Sequence, residues 1–138
     1  LKIKCKNNKR VKMIQGIGCD IVEVKRFKKW ISSPSMTKRF FNKEEILTGD
    51  YSTQRLCEHY AVRFAAKESF GKALGLGIKG FELTDIYIVK NKAGQPCLKI
   101  TGNALKIMDE KFGNNCIVHV SLSHEKEYAI AYVIIEQG

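Results

Sequence analysis

Residues 60–75, YAVRFAAKESFGKALG, constrain the fold more than any other stretch of the chain. At about 100° per residue they separate into two helical faces. Val62, Ala65, Ala66, Ser69, Phe70, Ala73 and Leu74 share one broad arc, which marks the side buried against a core. Phe64, Glu68, Gly71, Lys72 and Gly75 share the other. An ordinary amphipathic helix with one Glu-to-Lys pair, worth about 0.2–0.5 kcal/mol, fits the same pattern. Two glycines inside a helix, however, each cost about 0.5–1 kcal/mol relative to alanine. That loss points to a bare stripe where a ligand approaches the backbone beside Glu68 and Lys72.

The 138 residues suit one domain with a real core. No apolar run approaches the roughly 18 residues of a membrane span, so a soluble protein without membrane contact is expected. Lys and Arg number 24 against 14 Asp and Glu, a formal charge of +10 that favours an anionic partner: nucleic acid, an acidic protein or a phosphate-rich small molecule. Five cysteines, Cys5, Cys19, Cys57, Cys97 and Cys116, are odd in number and widely spaced, with no CxxC pair. They read as reduced intracellular thiols.

Residues 1–12 form a basic N-terminal extension without an acidic residue. It is the remnant of an organelle-targeting leader, an added extension or a solvated basic arm. The single domain then spans residues 13–138. Residues 13–24, MIQGIGCDIVEV, read as a strand leading into a turn or helix start. Alternation places Gly16, Gly18 and Asp20 on one face. Asp20 is a turn or cap residue, or a metal ligand if a second carboxylate such as Glu68 joins it.

A short helix is expected over residues 23–31, with Val24, Phe27 and Ile31 buried and Lys25, Arg26, Lys28 and Lys29 forming a basic surface. Ser32, Ser33 and Pro34 should end it. Asn42 followed by Glu45 resembles a capping pattern opening a short helix through Leu47. The long helix should begin near Gln54 and stop at the glycine-rich GLGIKG. Strands are expected at 83–90 and 97–101 around the loop NKAGQP, then a helix over 102–112 and strands over 116–123 and 128–136. His124 opens the last turn, where it is either merely exposed or part of a site.

Two carboxylates with waters and ligand phosphates make an oxygen-rich Mg2+ site, and Lys72 could neutralise a phosphate there. Three runs then carry a specific resemblance: GIGCDIVEVKRF at 16–27, RFAAKESFGKALGLGI at 63–78 and VSLSHEKEYAIAYVIIE at 120–136. Together they resemble the signature regions of the holo-acyl carrier protein synthases, the small bacterial type of 4′-phosphopantetheinyl transferase. The resemblance implies an α+β fold with antiparallel sheet and a long central helix, assembled as a homotrimer with sites between subunits.

It also implies Mg2+-dependent transfer of the 4′-phosphopantetheine arm of coenzyme A to a serine of apo acyl carrier protein, in support of fatty acid biosynthesis, with release of adenosine 3′,5′-bisphosphate. Asp20 and Glu68 match the metal ligands. Lys72 matches the lysine that neutralises the pyrophosphate and assists the leaving group. Asp20, Glu68 and Lys72 are thus the expected catalytic residues, with the serine proton going to Glu68 or to metal-bound water. Gly75 and His124 match positions lining the nucleotide site, and Arg26 matches an arginine that engages the carrier protein. Ser69 and Gly71 depart slightly from the family pattern, at the expense of helix stability rather than chemistry. The compartment implied is the bacterial cytoplasm, or a plastid-type organelle if residues 1–12 are a leader remnant. The alternatives are a basic nucleic-acid-binding module without catalysis, which would need exposed aromatics among its basic residues, and a non-catalytic coenzyme A-binding subunit.

Overall fold

The computed structural model describes residues 13–138. The basic extension and Cys5 lie outside the described residues. The described residues begin with β1 (Met13–Glu23), a 3-10 turn (Val24–Phe27), α1 (Lys28–Ile31) and α2 (Pro34–Phe40), followed by a second 3-10 turn (Lys43–Glu45). The long helix α3 (Thr53–Leu74) comes next, then a third 3-10 turn (Leu83–Asp85), the hairpin β2 (Ile86–Lys90) and β3 (Pro96–Ile100), α4 (Gly102–Phe112), β4 (Cys116–His124) and β5 (Tyr128–Gln137). Strands β1, β5 and β4 form an antiparallel sheet in that order, and β2 pairs with β3 alone. The architecture is α+β, with a long central helix laid across an antiparallel sheet.

Helix α3 starts within one residue of the expected position. The Ser52 side chain caps it, accepting from Arg55 N at 3.1 Å. It ends at Gly75 (φ +79°), where Gly75 N and Leu76 N donate back to Lys72 O and Gly71 O. These two bonds satisfy carbonyls that the helix end would otherwise leave open. The arc predicted to be buried is buried at every position. Its small residues meet the inward alanines and valine of β5, Ala129, Ala131 and Val133, all fully buried. Ser69 Oγ donates to Ala131 O at 2.9 Å, fixing helix to strand.

The other end of α3 is held by aromatic packing. Trp30 lies 4.8 Å from Phe27, 4.9 Å from Phe40 and 5.1 Å from Phe64 between ring centroids, and Phe41 lies 4.7 Å from Tyr60. Tilted and edge-on pairs of this kind add about 0.5–1.5 kcal/mol each beyond burial.

Four local expectations change. The strand expected over 83–90 begins only at Ile86, after the 3-10 turn Leu83–Asp85. The helix expected over 23–31 is a strand end, a 3-10 turn and a single α turn, because β1 stays paired with β5 through Glu23 opposite Tyr128. Pro34 both follows that turn and opens α2, at a first-turn position where a missing N–H has no cost. Around Asn42 the capping box forms, yet the helix stops at Glu45. Glu45 is drawn into the core by Lys67 rather than left on a helix surface.

Candidate active site

The site begins where β1 crosses α3. A Cβ on Gly16 would stand 1.9 Å from Ala73 O, and one on Gly18 would stand 1.8 Å from Ser69 O. No side chain fits between strand and helix here, so the two backbones touch. Two residues further along the same face of β1, Asp20 arrives beside the flank of α3 that carries Glu68 and Lys72. Lys72 Nζ donates to Asp20 Oδ1 at 3.0 Å and to Cys19 O at 2.8 Å. Asp20 is mostly covered, while the Lys72 side chain is half exposed.

Glu68 completes the group. Burial raises its pKa above the ordinary carboxylate value, and the nearby Asp20 charge raises it further, with Lys72 and Arg26 pulling the other way. Two carboxylates, one lysine and one arginine therefore share one electrostatic environment. Like charges held together and partly dehydrated are unfavourable without a cation between them. An oxygen-only pair of this kind fits Mg2+, which keeps waters and takes the rest of its shell from ligand phosphates. Among the described residues no cluster of three His, Cys, Asp or Glu offers an all-protein metal cage.

The bare helical stripe has a different cause from the one expected. A Cβ on Gly71 would stand 2.0 Å from Gly77 O, so Gly71 is bare because the chain's own turn packs on it. Gly75 is the left-handed residue that ends the helix, with Lys111 Nζ 3.0 Å from where its Cβ would be. The close approach inferred from these glycines is real, but the approaching group at Gly71 is backbone.

His124 stands at the end of β4, with Nδ1 3.9 Å from Glu58 Oε2. Glu58 precedes Glu68 by ten residues, about 15 Å along the helix. Within one chain, His124 and the Asp20–Glu68–Lys72 group are therefore apart. His124 belongs to a second, basic cleft with Arg55, Glu58, His59, Arg63 and Lys90. Arg63 Nη1 donates to His59 O at 3.2 Å, and Arg63 Nε is buried with no hydrogen-bond partner among the described atoms. Burial and the Arg63 charge pull the His59 pKa down to about 4. Neutral at pH 7, His59 places a ring nitrogen 2.6 Å from Glu45 O.

Sequence reasoning missed this cleft, because Arg55, His59 and Arg63 look like ordinary polar positions four apart on a helix. The four-residue spacing is itself the signal, since it aligns them on one stripe. It also missed the buried Lys67–Glu45 pair.

Phe27, Trp30, Phe40 and Phe64 pack on one another, while Tyr51, Tyr128 and Tyr132 stand exposed. Among the described residues no helix is long and apolar enough to cross a membrane, and Cys19, Cys57, Cys97 and Cys116 are free thiols.

Comparison with known proteins agrees with the resemblance. Residues 16–133 match the profile of the 4′-phosphopantetheinyl transferase superfamily. The holo-[acyl-carrier-protein] synthase of Treponema denticola is 49% identical over 124 residues, covering 90% of this chain and 99% of that protein. That of Clostridium tetani is 42% identical over 125 residues, covering 90% and 97%. A crystal structure of the Bacillus anthracis holo-(acyl-carrier-protein) synthase in complex with CoA (3′,5′-ADP) superposes with a TM-score of 0.72 at 36% identity, covering 91% of this chain and 99% of that one. With the fold, the carboxylate pair and these likenesses together, the chain belongs to the 4′-phosphopantetheinyl transferase superfamily, among its holo-[acyl-carrier-protein] synthase enzymes.

Proposed function

We propose that this enzyme transfers the 4′-phosphopantetheine arm of coenzyme A to a serine hydroxyl of apo acyl carrier protein in a Mg2+-dependent reaction. The serine oxygen forms a bond to the phosphorus that carries the pantetheine arm, the bridging P–O bond breaks, and adenosine 3′,5′-bisphosphate leaves. The observation that carries this is the convergence of Asp20, Glu68 and Lys72 from two distant segments, in a chain whose relatives bear the synthase name. When bound, the metal would neutralise the pyrophosphate and orient it for in-line attack.

Asp20 and Glu68 would hold the ion. Lys72, already pointing at Asp20, would turn to the bridging or departing phosphate once the metal satisfies that carboxylate. Glu68 or a water held beside it would accept the serine proton. Arg26 sits on an exposed basic turn beside this site and would engage the acidic carrier protein. Gly75 and the basic cleft at His124 would line the nucleotide site, the unpaired Arg63 Nε being suited to an anionic ligand.

A homotrimer with sites shared between neighbours would bring these two regions together. Supporting it, the outer sheet face exposes Ile17 (65%), Ile21 (60%) and Tyr132 (48%), a patch suited to burial against another copy. The bacterial cytoplasm and a role in fatty acid biosynthesis complete the proposal; spirochaetal and clostridial relatives at 42–49% identity favour that compartment over a plastid-type organelle.

The test is incubation with apo carrier protein, coenzyme A and Mg2+, read by intact mass. A gain of one phosphopantetheine arm, lost on chelation of Mg2+, is expected; carrier protein of unchanged mass overturns the proposal. Site sharing is tested by mixing Glu68→Gln with His124→Ala. Each alone should be inactive, and reassembled one-to-one mixtures should restore about one quarter of the sites if each site spans a head-to-tail interface.

A further inference from the structure

Lys67 directly precedes Glu68 in sequence, and the buried pair that it forms with Glu45 has no part in the chemistry proposed above. Lys67 Nζ donates to Glu45 Oε1 at 2.6 Å, to Leu83 O at 2.9 Å and to Ile86 O. All three of its N–H groups are thereby used. Glu45 is equally committed: Oε1 also accepts from Asn42 N at 3.1 Å, and Oε2 accepts from Ile88 N at 3.2 Å. Both side chains are fully buried. One ammonium thus binds α3 to the 43–45 turn, the 83–85 turn and β2.

A buried ion pair adds little net stability over a well-packed apolar pair of the same size. What it does supply is a fixed direction, because three acceptors around one ammonium allow a single placement. Ser69, two residues on, is gripped from another side through its bond to Ala131 O and its contact with Gly18. Successive residues turn by about 100°, so Glu68 projects between the two gripped directions. Turning α3 by about 20° would carry a side-chain tip, some 5–6 Å from the helix axis, by about 2 Å.

We infer that Lys67 and Glu45 are positioning residues, whose bridge sets the rotation of α3 and so holds the Glu68 carboxylate toward Asp20. This rests on Asp20 and Glu68 being the metal-binding pair proposed above.

The experiment compares Lys67→Met/Glu45→Gln, near-isosteric and uncharged, with Lys67→Arg, which keeps the charge but not the placement of three donors. Each is assayed well below its own melting midpoint, so that turnover refers to folded molecules. A misplacement of an ångström or more should lower kcat by about 100-fold in the double variant, with a smaller loss in Lys67→Arg. The KM for coenzyme A should stay within about threefold, since remote contacts fix ground-state binding. Mn2+ binding in the presence of coenzyme A, read by electron paramagnetic resonance, should weaken in parallel.

A merely structural bridge would lower the melting midpoint and leave kcat per folded molecule and Mn2+ affinity at wild-type values; that result, in either folded variant, overturns the inference. Glu68→Gln is run alongside. If Glu68→Gln is inactive while the bridge variants are fully active, only the positioning role fails. If Glu68→Gln itself turns over normally, the metal-site assignment fails first and takes the inference with it.

Discussion

Gly18→Ala probes the contact that brings the two carboxylates together. The new Cβ would stand 1.8 Å from Ser69 O, 2.8 Å from Ser69 C and 2.9 Å from Ala73 N, all backbone atoms that cannot rotate away. An ordinary carbon–oxygen contact is about 3.3 Å, so β1 and α3 must part by about 1.5 Å. A displacement of that size takes the 2.9 Å bond from Ser69 Oγ to Ala131 O beyond hydrogen-bonding range if the sheet moves with β1. Overpacking costs about 1–3 kcal/mol, and a buried polar pair left unmatched costs about 1–3 more, giving about 4 kcal/mol in mid-range. At about 2.1 cal/mol/K of unfolding entropy per residue over the 138 residues, this lowers the melting midpoint by about 14 °C. Asp20 moves with the strand while Glu68 and Lys72 stay with the helix, so kcat should fall by about 100-fold as well. Circular dichroism melting and the intact-mass transfer assay, the latter run far below the variant's midpoint, check both numbers. A midpoint within about 3 °C of wild type together with unchanged turnover would show that the strand-to-helix contact does not set the site.

Glu68→Gln should abolish transfer yet stabilise the fold. Because the folded pKa of Glu68 is raised, its charged form opposes folding, and that penalty grows as pH rises from the ordinary carboxylate range through the raised value. The variant should therefore melt higher than wild type near pH 7.5, with the difference closing near pH 4; a lower midpoint at neutral pH contradicts the electrostatics described. His59 has the opposite sense: its folded pKa of about 4 lies below the ordinary 6.5, so wild type loses stability as pH falls between those values. His59→Gln should flatten that part of a melting-midpoint profile, and an unchanged slope would assign the loss to other groups. For Arg26→Ala the expectation is weaker carrier-protein binding with a shallower dependence on salt, measured by titration at two ionic strengths. Weakening of coenzyme A binding alone would reassign Arg26 to the nucleotide.

The long helix was legible in the sequence because its buried arc is continuous and its cap and glycine stop are local signals, as Ser52 and Gly75 show. Asp20 and Glu68 were legible as a pair only through the strand alternation around Gly16 and Gly18 and the family motifs. The separation of His124 from that pair was not, since it depends on where β4 ends relative to the turns of α3. Lys67 was invisible for a related reason. A lysine inside a helix normally reads as solvated, and only the distant Glu45, Leu83 and Ile86 make its burial favourable. Pro34 reads as a helix stop in the sequence, yet it opens α2.

Helix α3 divides its work along its length. Its sheet-facing side in the second half is Ala65, Ala66, Ser69 and Ala73, residues too small to bury much apolar surface but small enough to let backbones meet. Geometry is strict there, since no long side chain can flex to absorb a misfit. Large buried rings flank the helix along its whole length, Phe27, Phe41 and Tyr60 around the first half and Phe70 with Phe81 around the second, and each fully buried side chain stabilises by about 1.5–3 kcal/mol. The close strand-to-helix contact is thus confined to the second half, where Gly16 and Gly18 meet Ala73 and Ser69. It follows that substitutions among the rings should lower the melting midpoint with little effect on kcat per folded molecule, while equally small changes at Gly16, Gly18 or Ser69 should reach the chemistry directly.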